Sequence, residues 1–228
     1  MQSIKAVLFE PVGCLAEFSA QEFHDAAAQL FAADTDAAVS GSQAYWRLLG
    51  LIGQNASPEA LVRLQAFELR AVEQAELYED VRPALEGLRA LGVAAQIASS
   101  LSRSAVTRFV ERHGLTDLFA GIVSRDEAGG VAAAVLRQAI GSAGLAPSQV
   151  MMLADTAEGL ELAKRLGLNA MLMINDYDEG RALAERGPAG GIVSLTELAD
   201  ALRLIEQRSG IRAPSRAPRA PFELFDPG

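Results

Sequence analysis

The sequence predicts an α/β fold, a mostly parallel sheet covered by helices with a small all-helical segment inserted after the first strand. Three observations carry this. Short apolar runs of strand length alternate with amphipathic stretches of helical period. The runs lack strict polar alternation, as expected of strands buried on both faces. From residue 15 to about 80 the pattern is helical and no β run intervenes.

The strands are read as 4–9 (IKAVLF), 93–99 (VAAQIAS), 121–124 (GIVS), 150–154 (VMMLA), 170–174 (AMLMI) and the short 191–193 (GIV). Between them, Leu85, Leu88 and Leu91 form one helical stripe closed by Gly92. A second helix starts at Ser102, carries Val106, Phe109 and Val110, and ends at Gly114. The helix after Asp155 presents Leu160, Ala163 and Leu166 and stops at Gly167, and Ser194 with Glu197 has capping-box spacing before the last helix. Within the inserted segment, Ser19 with Glu22 repeats that spacing, QAYWRLLG has an apolar face, and Ser57 followed by Pro58 opens a long helix. The expected division is a core of residues 1–14 and 81–208, a helical segment of 15–80, and a Pro/Arg-containing tail of 209–228. Its three Ala-Pro pairs favour extended structure. The tail is either passive or docks through Phe222, Leu224 and Phe225.

At 228 residues and 50% apolar content the chain can bury a sizeable core. A net charge of -9 without a basic cluster argues against nucleic-acid and anionic-membrane partners, because the long-range field repels phosphate. The single cysteine, Cys14, cannot form an internal disulfide, and no apolar run approaches the roughly 20 residues of a membrane span. The expectation is a cytoplasmic protein without a signal peptide. Cys14 reads as a small core residue, and neither His24 nor His113 stands at a Cys-His spacing that suggests chemistry. Tyr45 and Trp46 either pack on the core or face a ligand.

In open parallel sheets the ligand crevice lies beyond the C-terminal ends of the strands. Glu10, Ser99 with Ser100, and Asp155 all fall there, so two carboxylates and a hydroxyl from distant parts of the chain can meet around a metal and an anionic oxygen.

These segments, in this order, resemble the haloacid dehalogenase superfamily, in particular its phosphoglycolate-phosphatase and β-phosphoglucomutase-like branch with a helical cap. The resemblance covers residues 4 to about 200 and implies a Rossmann-like core. KAVLFEPVGCLAEF looks like the first motif, an Asp-x-Asp-Gly loop. LYEDVRPALEGLRALGVAAQIASS leads to the second-motif Ser at Ser99, and VMMLADTAEGLELAKRLGLNAM looks like the final acidic motif at Asp155. In that family the first Asp attacks phosphorus, the second is general acid and base, a Lys neutralises charge, and Mg²⁺ is held by the first Asp, the carbonyl of the second-Asp residue and the final acidic motif.

Matched position by position, the nucleophile is Glu10, the acid/base is Val12 and the Lys is Gly130. The longer Glu side chain moves the attacking oxygen by about 1 Å, which can cost on the order of 100-fold. Val12 transfers no proton, and loss of that help removes roughly a further 10²- to 10⁴-fold. Pro11 withholds one backbone N–H from the loop. Of the two lysines, Lys5 precedes the first strand and Lys164 lies about 13 Å down a helix from Asp155. Arg125 is either a replacement cation or a solvated loop residue. The resemblance leaves Ser99, Ser100 and Arg125 as ligand-binding candidates, and Glu10, the Val12 carbonyl and Asp155 as oxygens for a weakly held Mg²⁺, with Glu158 as an addition. Ser99 alternatively caps the following helix.

The expectation is a protein with impaired or lost phosphatase chemistry and a binding, regulatory or structural role toward a small molecule or protein. The alternative is a Mg²⁺-dependent phosphate monoester hydrolase using Glu10 and Asp155. A dehalogenase is less well supported, since its Asp nucleophile and Lys are both replaced. Exposed apolar residues of the cap or tail would allow a homodimer.

Overall fold

The computed structural model describes residues 3–34 and 39–210. The tail residues Phe222, Leu224 and Phe225 lie outside them. In chain order the elements are β1 (Ala6–Phe9), a single irregular turn α1 (Pro11–Cys14), β2 (Ala16–Glu17), α2 (Ala20–Phe31), α3 (Gly41–Asn55), α4 (Pro58–Gln74), β3 (Glu76–Leu77), α5 (Val81–Ala90), β4 (Ala94–Ala98) and α6 (Arg103–Arg112). There follow β5 (Gly121–Val123), α7 (Arg125–Ala128), α8 (Ala133–Ala143), β6 (Val150–Ala154), α9 (Ala157–Arg165), β7 (Asn169–Met173), α10 (Tyr177–Ala184), β8 (Gly190–Ile192) and α11 (Leu198–Gly210).

Every pairing in the six-stranded sheet is parallel, in the order β5-β4-β1-β6-β7-β8. The chain runs outward from β1 through β4 to β5, then returns to β6 on the other side and runs outward again. Side chains alternate between two apolar layers. Val7, Phe9, Ile97 and Leu153 face α5, α6 and α11, whereas Leu8, Ala98, Met152 and Leu172 face α8, α9 and α10. All six predicted strands are present, because central strands buried on both sides require continuous apolar runs.

Helices α2, α3 and α4 form the predicted insertion. Their starts are set by Ser19, Ser40 and Ser57, whose side chains accept from backbone N–H groups in the first turn. Two details differ from the sequence reading. A short antiparallel ribbon, β2 with β3, ties the insertion's two ends together, so the segment is not purely helical. Glu22 does not complete a capping box at Ser19; it accepts from Arg70 and Gln74 inside the insertion. The box is at Ser40 and Gln43. At the last helix the Ser194 hydroxyl accepts from Thr196 N–H, opening a 3₁₀ turn before α11.

No helix among the described residues is long and apolar enough to cross a membrane.

Candidate functional site

The reversal of strand order beside β1 opens the crevice where polar side chains collect. Glu10 ends β1 with φ -87° and ψ 126°, the extended conformation that a following proline favours. Its side chain is only 7% exposed. Ser99 Oγ lies 2.5 Å from Oε1, while Oε2 accepts from Ser100 N–H at 3.0 Å and Tyr45 Oη–H at 3.0 Å. Burial pushes the Glu10 carboxyl up to about 7, more than these hydrogen bonds pull it down. Burial thus favours the neutral form of this carboxyl over a wider pH range than an exposed glutamate shows.

Val12 is fully buried in the apolar layer facing α5 and α6, with no proton to exchange. Gly13 follows at φ +79°, and a Cβ built there would lie 1.9 Å from Ser42 Oγ and 2.0 Å from Asp155 Oδ2. The loop therefore needs glycine twice over, for its left-handed backbone and for the close approach of two polar side chains.

Asp155 leaves β6 as its family match predicts. Its Oδ2 accepts from Ser42 Oγ–H at 2.5 Å and from Asn175 Nδ2–H at 3.5 Å. Burial raises the Asp155 carboxyl to about 6, against the Ser42 hydrogen bond and with the help of the Glu179 and Glu158 charges. Ser42 Oγ also lies 3.4 Å from the Val12 carbonyl. One hydroxyl hydrogen cannot serve both, and the shorter contact to Asp155 takes it. Asn175, at the end of β7, also donates to the Gly13 carbonyl at 3.0 Å.

Arg125 corrects both readings made of it. It is neither a solvated loop residue nor a cation turned toward an open anion position. At 5% exposure it pairs with Glu68 of α4 and donates to the Ser100 carbonyl at 3.2 Å. Glu68 also accepts from Ser102 N–H at 3.1 Å. Burial raises the Glu68 carboxyl and the neighbouring guanidinium opposes that rise. The charge of Arg125 is thus cancelled inside the protein.

Of the predicted site residues, Glu10, Ser99 and Ser100 meet directly, and Asp155 stands across the loop beside the Val12 carbonyl. Gly130 sits one turn away, its N–H donating to the Arg125 carbonyl. Ser99 does not cap the next helix; Ser102 does, accepting from Ala105 N–H. The Ser100 hydroxyl accepts from Ala132 N–H at 2.8 Å, while its own N–H serves Glu10. Thr156 caps α9. Sequence reasoning missed Ser42, Glu68 and Asn175. The Ser40–Gln43 box could have located the start of α3, but nothing local announces which hydroxyl reaches Asp155.

Mg²⁺ needs oxygens free to converge on it. Here both Glu10 oxygens are held by protein hydrogens, and Ser42 Oγ lies between the Val12 carbonyl and Asp155. Among the described residues no group of three or more His, Cys, Asp or Glu could hold a metal. To reach Glu10 and Asp155 Oδ2 the ion would have to compete with the hydroxyls of Tyr45, Ser99 and Ser42.

Beside Asp155 lies a cavity of about 200 Å³ lined by Gly13, Glu17, Ser42, Asp155, Asp176 and Glu179 among others, with no Lys or Arg. Phosphate would meet carboxylates there.

Known structures share this fold. A predicted phosphatase from Clostridium acetobutylicum is 18% identical with a TM-score of 0.68, over 90% of this chain and all of that one. A haloacid dehalogenase-like family hydrolase from Streptococcus pneumoniae is 20% identical with a TM-score of 0.67, over 88% of this chain and 99% of that one. An L-2-haloacid dehalogenase from Xanthobacter autotrophicus with chloropropionic acid covalently bound is 19% identical with a TM-score of 0.59, over 88% of this chain and 98% of that one. At these identities the likeness concerns the fold. No curated protein matches the chain. The family model of haloacid dehalogenase-like hydrolases matches residues 39–173, beginning after the Glu10–Gly13 loop. That match spans more than half of the sequence, and the chain belongs to the haloacid dehalogenase-like hydrolase family.

Proposed function

We propose that this family member has lost, or retains only weakly, the phosphoryl-transfer chemistry of its fold, and that it acts in the cytoplasm as a binding, regulatory or structural protein. The observation that carries the reading is the state of Glu10. Its carboxyl stands at the nucleophile position but is buried, with its charged form disfavoured by burial, and is engaged by Ser99, Ser100 and Tyr45. Hydrogen bonds to both oxygens lower the reactivity of the carboxyl as a nucleophile, and a proton held by it would lower it further.

Three further features support it. Val12 offers no acid or base. Gly130 offers no charge, and Arg125 is neutralised by Glu68. Protein hydroxyls engage the carboxylates that would hold Mg²⁺, and the adjacent cavity is anionic. The same gaps weigh against a dehalogenase, whose Asp nucleophile and Lys are both replaced at the matched positions. Partners on this reading are a small molecule or a protein. The exposed apolar side chains Val62 and Tyr177 are available to a second copy.

The test is hydrolysis of a broad panel of phosphate monoesters with Mg²⁺ by the full chain and by Glu10→Ala. Equal, background rates are expected. Mg²⁺-dependent turnover abolished by the substitution would establish the hydrolase alternative instead.

A further inference from the structure

Loss of turnover does not require a closed crevice, since an inactive protein can still open and bind. We infer that α3 is a permanent internal occupant of the crevice, and that the helical insertion is fixed to the sheet domain instead of serving as a lid. Ser42 and Tyr45 stand three residues apart, so they project from the same face of α3 one turn apart. Their hydroxyls go to the two carboxylates of the site, Ser42 to Asp155 and Tyr45 to Glu10. One helical turn thus supplies a hydroxyl to each of the two carboxylates.

The contacts around this turn fix it from several sides. Gln43, between the two, donates to Glu179 of α10 at 2.8 Å. From α4, Glu68 reaches Arg125 and Ser102 on the sheet side. Separating the layers would break this pair together with the Ser102 N–H contact of Glu68. Gly41 packs so closely on the Phe18 carbonyl that a Cβ would fall 1.8 Å from it. Phe18 stacks on both Phe109 of α6 and Phe23 of α2. One apolar cluster runs without a break from Val7 and Ile97 in the sheet to Leu48, Leu64 and Phe67 in the insertion. Opening would expose that surface to water. Both chain crossings are also tied, by the β2–β3 ribbon and by Tyr78 N–H donating to the Leu15 carbonyl at 3.0 Å.

Hydrogen exchange on the full chain tests the inference. Amides of Ala44 and Ser100 are expected to exchange only through global unfolding, with the same protection as β1. Exchange at these amides about tenfold or more faster than in β1 would reveal a lid motion and overturn it. The combined Ser42→Ala and Tyr45→Phe variant is expected to lower protection of α3 selectively; wild-type protection in a folded double variant would also overturn it. The wild-type comparison decides the matter if the variant does not fold. Failure here is distinct from failure of the proposed function: turnover with full protection would refute lost chemistry alone, and opening without turnover would refute the fixed helix alone.

Discussion

Ser42 Oγ lies 2.5 Å from Asp155 Oδ2, joining the second helix of the insertion to the C-terminal end of β6. The contact gives Asp155 its shortest hydrogen bond, within a site where burial already disfavours the charged form. Ser42→Ala leaves that oxygen with only the longer Asn175 contact. The expected cost is about 1–3 kcal/mol of stability, read by urea denaturation. A neutral effect would mean that water replaces the hydroxyl freely and that the layers separate easily.

Glu10 makes stability depend on pH in a defined direction. Its carboxyl moves from an ordinary 4.5 to about 7 in the folded protein. Between those values the unfolded chain has released the proton and the native protein still holds it. The stabilisation is therefore complete below about pH 4.5, falls as pH rises toward 7, and is flat above. A shift of this size corresponds to about 3 kcal/mol. Asp155, raised from 3.8 to about 6, adds a fall over its own window. Glu73 and Glu127 are lowered and act in the opposite sense, at more acid pH. Glu10→Gln, which keeps acceptor and donor atoms without the titration, is expected to flatten the curve between pH 5 and 7 and to raise stability at pH 8. Denaturant midpoints across that range check it.

Gly13 has no room for a side chain. Gly13→Ala places a methyl group on Ser42 Oγ and Asp155 Oδ2 at a left-handed backbone position. The expected loss is about 3 kcal/mol or more, the sum of backbone strain and forced movement of two polar groups. Differential scanning calorimetry would register a large drop in Tm.

The Glu68–Arg125 pair should behave as a buried ion pair whose halves depend on each other. Glu68→Gln alone, or Arg125→Met alone, is expected to cost about 3–5 kcal/mol. Combining Glu68→Gln with Arg125→Met should cost clearly less than the two single changes added together. Strict additivity would show that the pair is not coupled in solution.

Much of this fold was legible because its determinants are local. VMMLA and AMLMI are continuous apolar runs; the structure buries all of the first in the sheet and residues 171–173 of the second. Ser57 with Pro58 marks a helix start from the chemistry of the first turn alone. The two-residue ribbon of Ala16–Glu17 with Glu76–Leu77 was not legible, since its pairing spans some sixty positions and neither strand has a pattern. The site divides in the same way. Glu10, Ser99 and Asp155 could be placed because each follows a strand, and strand ends meet by topology. The roles of Ser42, Tyr45 and Glu68 depend on how α3 and α4 lie over the sheet, which no spacing encodes. Arg125 shows the limit most clearly: its charge was read from sequence, but its partner is 57 positions away on another layer.

If protein hydroxyls, and not a cation, complete the crevice, Mg²⁺ should leave its backbone undisturbed. The most direct measurement is a Mg²⁺ titration of the full chain followed at assigned backbone amides. Gly13, Ser100 and Asp155 are predicted to stay in place up to about 10 mM, while only surface amides near exposed carboxylates drift, as expected of weak oxygen-ligand binding. A saturable shift of those three amides together, at sub-millimolar Mg²⁺, would contradict it.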